Sequence, residues 1–172
     1  RMGSVEPWDL PEDFFALFNN PRLMPHLHLP LQSGNDNTLR RMARRCKTAD
    51  FRVLAEQARQ QIPDFNLTTD IIVGFPGETE DDWQQTLAYI ESIGFGHLHI
   101  FPYSARVGTK AAAMSEQINR DTKRIRVKQL HELALRMKKA TLEQYLGRTF
   151  PILWESKTSN PMGGKLQYSG YT

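Results

Sequence analysis

The chain has 172 residues, 40% of them hydrophobic and 24% charged, a balance near the globular average that excludes a disordered chain. Its net charge is only +3, so any nucleic-acid contact must come from local clusters rather than from the whole surface. No apolar run approaches the ~20 residues of a membrane helix, and the one cysteine, Cys46, can neither close an internal disulfide nor alone hold an iron–sulfur cluster. A cytoplasmic protein is the expectation.

In chain order, Arg1–Glu6 reads as a first strand and His26–Leu31 as a second. Residues 38–45 form a short helical piece. Thr48 then caps a longer helix with Phe51, Leu54, Ala55, Ala58 and Ile62 at helical spacing, and Pro63 ends it. Thr68–Val73 is a third strand. Thr79 and Asp82 resemble a capping box for a helix with Trp83, Leu87 and Ile90 on its buried stripe and Gly94 as its stop. His97–Phe101 is a fourth strand. Strands alternating with helices in this way mean βα units and a parallel sheet, open or curled toward a barrel. Residues 105–119 then read as an irregular loop, and 121–146 as one long helix rich in Lys and Arg that Gly147 ends. From Arg148 onward the aromatic residues around Met162-Gly163-Gly164 read as strands, too few to close a β-domain alone. The expected division is therefore 1–146 and 147–172, with the pattern cut at both ends.

Alternation along strands sorts these residues by face. Leu27, Leu29, Leu31, Ile71, Val73, Leu98 and Ile100 form an aliphatic face that must pack on helices. His26, His28, Gln32, Thr68, Asp70, His97, His99, Phe101 and Tyr103 share the other. A parallel sheet is ordinarily apolar on both faces, so this polar face implies a water-filled or ligand-filled concavity. A hydrogen-bonded buried network is the plainer alternative.

Three segments carry candidate chemistry. Gln32 and Ser33 stand at the carboxyl end of a parallel strand, where α/β folds bind ligands, and Gly34 lets the backbone turn close past one. His26 and His28 have a spacing found in metal sites, but no carboxylate nearby in sequence completes a ligand set, so histidines lining a cavity or core are the better reading. Gly74, Phe75 and Gly77 follow the third strand, where the two glycines suit either a flat ligand lying on bare peptide groups or a purely structural turn. Asp70 points into the concavity. Tyr103, Ser104, Arg106 and Thr109 bring donors to the end of the fourth strand. Basic residues crowd two places, Arg40, Arg41, Arg44, Arg45 and Lys47 in one, and nine between Arg120 and Arg148 against three acids in the other. Solvated faces explain most such runs; phosphate binding is the sharper reading.

Gly3-Ser-Val-Glu-Pro7, His28-Leu-Pro-Leu-Gln-Ser-Gly34, Thr69-Asp-Ile-Ile-Val-Gly-Phe-Pro-Gly-Glu-Thr79 and Phe101-Pro-Tyr-Ser104 followed by Gly108-Thr109 together resemble the radical S-adenosylmethionine methylthiotransferases, in family order. The resemblance implies a fold: the later part of a partial (β/α) parallel barrel of the radical S-adenosylmethionine type, followed by a long helix and the beginning of a TRAM β-domain. It also implies an activity, insertion of a methylthio group into an unactivated C–H bond of tRNA, with S-adenosylmethionine and two 4Fe–4S clusters as cofactors. The Cys-x-x-x-Cys-x-x-Cys loop of the family is not in this sequence, and Cys46 matches no cluster ligand, so the chain alone is expected to be inactive. Leu98-His-Ile-Phe-Pro-Tyr-Ser104 and His26-Leu-His-Leu-Pro-Leu31 look most like the branch acting on threonylcarbamoyladenosine beside the anticodon.

By resemblance, Ser4, Glu6, Gln32, Ser33 and Asp70 would line the S-adenosylmethionine pocket, and Gly74, Phe75 and Gly77 would present backbone to the adenine. Tyr103, Ser104 and Arg106 would stand at the substrate mouth. The basic run of the long helix, read as a phosphate-binding stripe, would set Lys123, Arg124 and Lys128 along the tRNA path. Two rival readings remain: a metal-dependent barrel hydrolase using His26, His28, His97 and His99, and a tRNA-binding module without catalysis.

Overall fold

Three apolar stretches lie side by side as parallel strands in a computed structural model that describes residues 5–158 and 166–171. They are β1 (His26–His28), β2 (Asn66–Val73) and β3 (His97–Pro102), in that order across the sheet. Helices α1 (Asp36–Arg41) and α2 (Thr48–Gln61) connect β1 to β2, and α3 (Glu80–Ile93) connects β2 to β3. The register sets His28 opposite Thr68, Thr68 opposite His97, and Asp70 opposite His99. Helix α4 (Arg120–Glu143) follows an irregular stretch that contains a single short turn of 3₁₀ helix at Ala111–Ala113.

The aliphatic face behaves as its alternation requires. Leu27, Leu29, Ile71 and Val73 are fully buried in one cluster with Phe51, Ala55 and Ala58 of α2 and Trp83 and Ile90 of α3. Leu130, Leu133 and Met137 join it from α4, each a helical turn or so from the next. Each large side chain buried here contributes roughly 1.5–3 kcal/mol against the entropy of ordering the chain. Helix α3 starts as the capping box demands: Thr79 Oγ1 accepts from the Asp82 amide at 3.1 Å, and Asp82 Oδ2 accepts from the Thr79 amide at 3.0 Å. Gly94 stops it with φ +69°.

Several expectations need correction. Val5 and Glu6 lie in no strand, although the Val5 amide donates to the His28 carbonyl at 3.3 Å; Arg1 to Ser4 lie outside the described residues. Two 3₁₀ turns, Pro7–Asp9 and Phe14–Asn19, went unread, and the second brings Phe14 and Phe15 into the core. Helix α1 begins two residues early because Asn35 Oδ1 accepts from the Asn37 and Thr38 amides. It ends at Arg41, so Arg44 and Arg45 are not on it. Lys47, not Thr48, stands at the cap of α2. Helix α4 stops at Glu143, before the turn in which Gly147 takes φ +77°.

The chain divides into two compact units, up to Leu142 and from Glu143. In the second, β4 (Leu153–Thr158) and β5 (Gln167–Tyr171) pair antiparallel, with the rings of Trp154 and Tyr168 edge to face at 5.9 Å. The expected turn at Met162-Gly163-Gly164 lies outside the described residues.

Candidate functional site

Pro30 has no amide hydrogen, and the sheet adapts around it. The Leu31 amide donates to Thr69 Oγ1 at 2.9 Å, and that hydroxyl donates to the Leu29 carbonyl at 2.7 Å. The chain rejoins the sheet at Gln32, whose amide donates to the Asp70 carbonyl and whose carbonyl accepts from Ile72, both at 2.9 Å. Gln32 is pinned there at φ +75°, a left-handed conformation that costs a non-glycine residue about 1–2 kcal/mol. The strain sits at the carboxyl end of the parallel strands, where ligands bind in such folds.

Beside it opens a cleft of about 490 Å³, lined by Gln32, Asp70, Ile72, Phe75, Phe101, Pro102, Tyr103, Ser104, Arg106, Thr109 and Ala111. The Tyr103 amide continues the ladder to the Val73 carbonyl at 2.8 Å, and its ring meets Phe75 edge to face at 5.2 Å. Its phenolic oxygen is buried with no hydrogen-bond partner among the described residues.

The loop after β2 is built on two glycines with left-handed backbone. Gly74 and Gly77 take φ +73° and +78°. Their amides are already engaged: Gly74 donates to Glu78 Oε2 at 2.9 Å and Gly77 to the Glu116 carbonyl at 2.8 Å. The space a side chain would fill at Gly74 is taken by Lys123, and at Gly77 by Glu116 and Arg41. The glycines make the turn and its packing, while Phe75 alone of this trio lines the cleft. Glu78 is wholly buried against Arg126 of α4 at 2.8 Å, and Arg126 also reaches Glu80 at 3.1 Å. Burial pushes the Glu78 carboxyl up to about 6 despite the pull of Arg126 and the Gly74 amide.

Of the residues expected around cofactor and substrate, the cleft brings together Gln32, Asp70, Phe75, Tyr103, Ser104 and Arg106. Glu6 is instead held by Arg44 at 2.6 Å. Ser33 is fully buried, its hydroxyl 3.3 Å from that of Thr86 on α3. Ser4 lies outside the described residues. Lys123 donates to the Tyr103 carbonyl at 3.1 Å, so it buttresses the cleft wall. Arg124 and Lys128 are exposed, each near an acid of its own helix. What sequence reasoning missed is a carboxylate beside the histidines: Asp70 Oδ2 lies 3.2 Å from His28 Nε2, and His99 stands on the same face. Alternation had put all three on that face, but only the strand register sets them level.

The lining suits S-adenosylmethionine, the cofactor of the resemblance. Phe75, Phe101 and Tyr103 offer flat apolar surface, Asp70 an anion for a cationic group and Arg106 a cation for a carboxylate. The residues do not fit an iron–sulfur cluster, which needs a thiolate set; Cys46 is one thiol, pushed up to about 11 chiefly by burial.

Comparison with known proteins agrees with this geometry. The chain is 39% identical over 171 residues to a tRNA-2-methylthio-N(6)-dimethylallyladenosine synthase of Jannaschia sp., covering 98% of this chain and 37% of that protein. It is 42% identical over 154 residues to the protein of the same name from Thermobifida fusca, covering 89% and 31%. It is 40% identical over 156 residues to a threonylcarbamoyladenosine tRNA methylthiotransferase of Thermotoga maritima, covering 90% and 36%. The chain thus spans about a third of the length of these curated relatives. Among solved structures, coproporphyrinogen III oxidase of Escherichia coli, described as a radical SAM enzyme, shares the fold with a TM-score of 0.64 at 16% identity, covering 78% of this chain and 31% of that one. Residues 4–90 match the radical SAM superfamily, and the chain, with its parallel sheet and the cleft at the sheet's carboxyl edge, belongs to that superfamily.

Proposed function

We propose that the chain is part of a tRNA methylthiotransferase that modifies an adenosine beside the anticodon, with threonylcarbamoyladenosine as the modified base. The observation that carries this is the cleft itself, polar and aromatic at the carboxyl ends of β2 and β3, in a chain about 40% identical to enzymes of that name. S-adenosylmethionine bound here would supply radical chemistry able to break an unactivated C–H bond, given one electron from a 4Fe–4S cluster whose thiolate set this sequence does not contain. This chain's residues would hold and orient the ligand. Asp70 and Arg106 orient the charged ends of a ligand, Phe75 and Tyr103 cover its flat part, and the Gln32 backbone fixes the floor. Lys123 and the Arg126–Glu78 pair hold the walls. The unit from Glu143 is the start of a TRAM-like β-domain, in keeping with its paired, aromatic strands.

The threonylcarbamoyl branch rests on the Leu98–Ser104 and His26–Leu31 segments. Relatives acting on dimethylallyladenosine match at similar identity. The test is the whole protein that carries this sequence, reconstituted anaerobically and given tRNA bearing one or the other base. Nucleoside digests read by mass spectrometry should show a methylthio group on threonylcarbamoyladenosine. Methylthiolation of the dimethylallyl base instead would move the chain to the other branch, and modification of neither base would overturn the reading.

A further inference from the structure

On the concave face of the sheet, donor atoms of His28, Asp70 and His99 all lie within 4.8 Å of one another, drawn from three adjacent strands. Thr68 Oγ1 lies 3.0 Å from His28 Nδ1, 3.1 Å from His26 Nε2 and 3.4 Å from the Leu27 carbonyl, so it holds the His28 ring from behind. With Nδ1 on Thr68, Nε2 is the ring nitrogen that faces the carboxylate, 3.2 Å from Asp70 Oδ2. A third donor, His99, stands level with Asp70 in the register and packs its ring 5.4 Å from that of His28.

We propose that His28 Nε2, Asp70 and His99 form a binding site for a divalent first-row transition ion such as zinc. Two imidazoles and a carboxylate on one side of an ion, with the remaining positions open to the concavity, are an established donor set for such ions. Thr68 orients the His28 ring from behind, as the partners of metal-bound histidines commonly do. A tetrahedral ion with bonds near ~2.1 Å spaces its ligands by roughly 3.4 Å. His28 and Asp70 already stand at 3.2 Å, and exposed His99 closes the rest by side-chain rotation. The site rests on these side chains alone and not on the cofactor reading; because Asp70 also lines the cleft, the ion and a cationic ligand there are alternative occupants of that carboxylate.

The test is calorimetric titration of the tag-free chain, stripped with chelator and dialysed, with zinc chloride near neutral pH. The expected result is saturable uptake of one ion per chain. His99→Ala and His28→Ala should each weaken it at least tenfold, and Thr68→Val by about 10-fold or more. Cys46→Ser, which removes the one thiol, should leave it unchanged. Cobalt in place of zinc should give visible absorption bands that His99→Ala abolishes. His99 is exposed, so its variant keeps the core, as circular dichroism would verify. No saturable uptake, uptake insensitive to His99→Ala, or uptake lost with Cys46→Ser would each overturn the site.

Discussion

Lys123, in the first turn of α4, donates to the backbone carbonyl of Tyr103 at 3.1 Å while its stem packs over Gly74. One side chain thus ties the long helix to both loops that frame the cleft. Glycine at 74 is required twice over, by φ +73° and by the Lys123 stem that occupies the space of a side chain.

From this tie follows a first prediction. Lys123→Ala removes both the stem and the donor, so the segment after β3 should open more often. Trypsin should then cut the native chain at exposed Arg106 several-fold faster than in the wild type. Lys123→Met keeps most of the stem and should fall between the two. Equal cleavage rates in all three proteins would mean that the tie does not hold the wall.

Gln32 and Leu29 stand three residues apart and should respond in opposite ways. Leu29 is fully buried among α2 and α3 side chains, so Leu29→Ala should cost about 2–5 kcal/mol of stability in denaturant unfolding. Gln32→Gly relieves a left-handed backbone and should raise stability by up to about 1 kcal/mol. In the reconstituted whole protein the same change, which also strips the Gln32 side chain from the cleft lining, should weaken S-adenosylmethionine binding by roughly 1–3 kcal/mol. A Gln32→Gly protein that is less stable than wild type would remove the strain argument.

Much of this arrangement was legible beforehand, and the misses share a cause. Alternation needs only the local chain, so it assigned Leu27, Leu29, Ile71 and Val73 to the core and Asp70 and Tyr103 to the concavity. The Thr79–Asp82 box and Gly94 were likewise local signals. Pairing across 40 residues is not local. Nothing near His28 in sequence announces Asp70, and nothing near Glu78 announces Arg126, 48 residues on. Ser33 was placed at the cleft by its position at the strand end and by resemblance, whereas it shares parity with Leu29 and Leu31 and is buried with them, its hydroxyl against Thr86. Phe14 and Phe15 were passed over because a 3₁₀ turn has too short a period to show in an apolar pattern.

The buried Glu78–Arg126 pair gives a pH prediction. The Glu78 carboxyl stands at about 6 against an ordinary 4.5, burial outweighing its partner. A folded value above the unfolded one contributes stability that is complete below about 4.5 and is lost as pH rises through about 6, roughly 2 kcal/mol in all. Glu78→Gln cannot titrate and resembles the protonated acid, so it should match the wild type near pH 4.5. As pH passes 6 it should become the more stable of the two. Urea unfolding at several pH values reads this directly. A variant deficit that widens with rising pH would show that the ion pair, not burial, governs the site.

The basic residues of α4 do not act as one stripe, and the last prediction turns on the difference. Lys123 is engaged with Tyr103, and Arg126 is buried against Glu78. Arg124 and Lys128 are about 80% exposed, held only by weak contacts to Asp121 at 3.7 Å and Glu132 at 3.9 Å. In the other basic cluster, Arg41 is paired with Asp82 and Arg44 with Glu6, which leaves Arg40, Arg45 and Lys47 as its exposed members. If tRNA lies along α4, Arg124 and Lys128 are therefore the residues that release counterions on binding. Replacing both by Ala should flatten the log–log dependence of affinity on salt by roughly 1.4–1.8 units. Lys123→Ala should leave the slope unchanged, because its charge is committed to the cleft wall. Arg41→Ala and Arg44→Ala should lower thermal stability through their broken pairs, with no change in slope. Filter binding of labelled tRNA at five or six salt concentrations measures all of these. A slope unmoved by the Arg124 and Lys128 changes would place the tRNA path elsewhere on the protein.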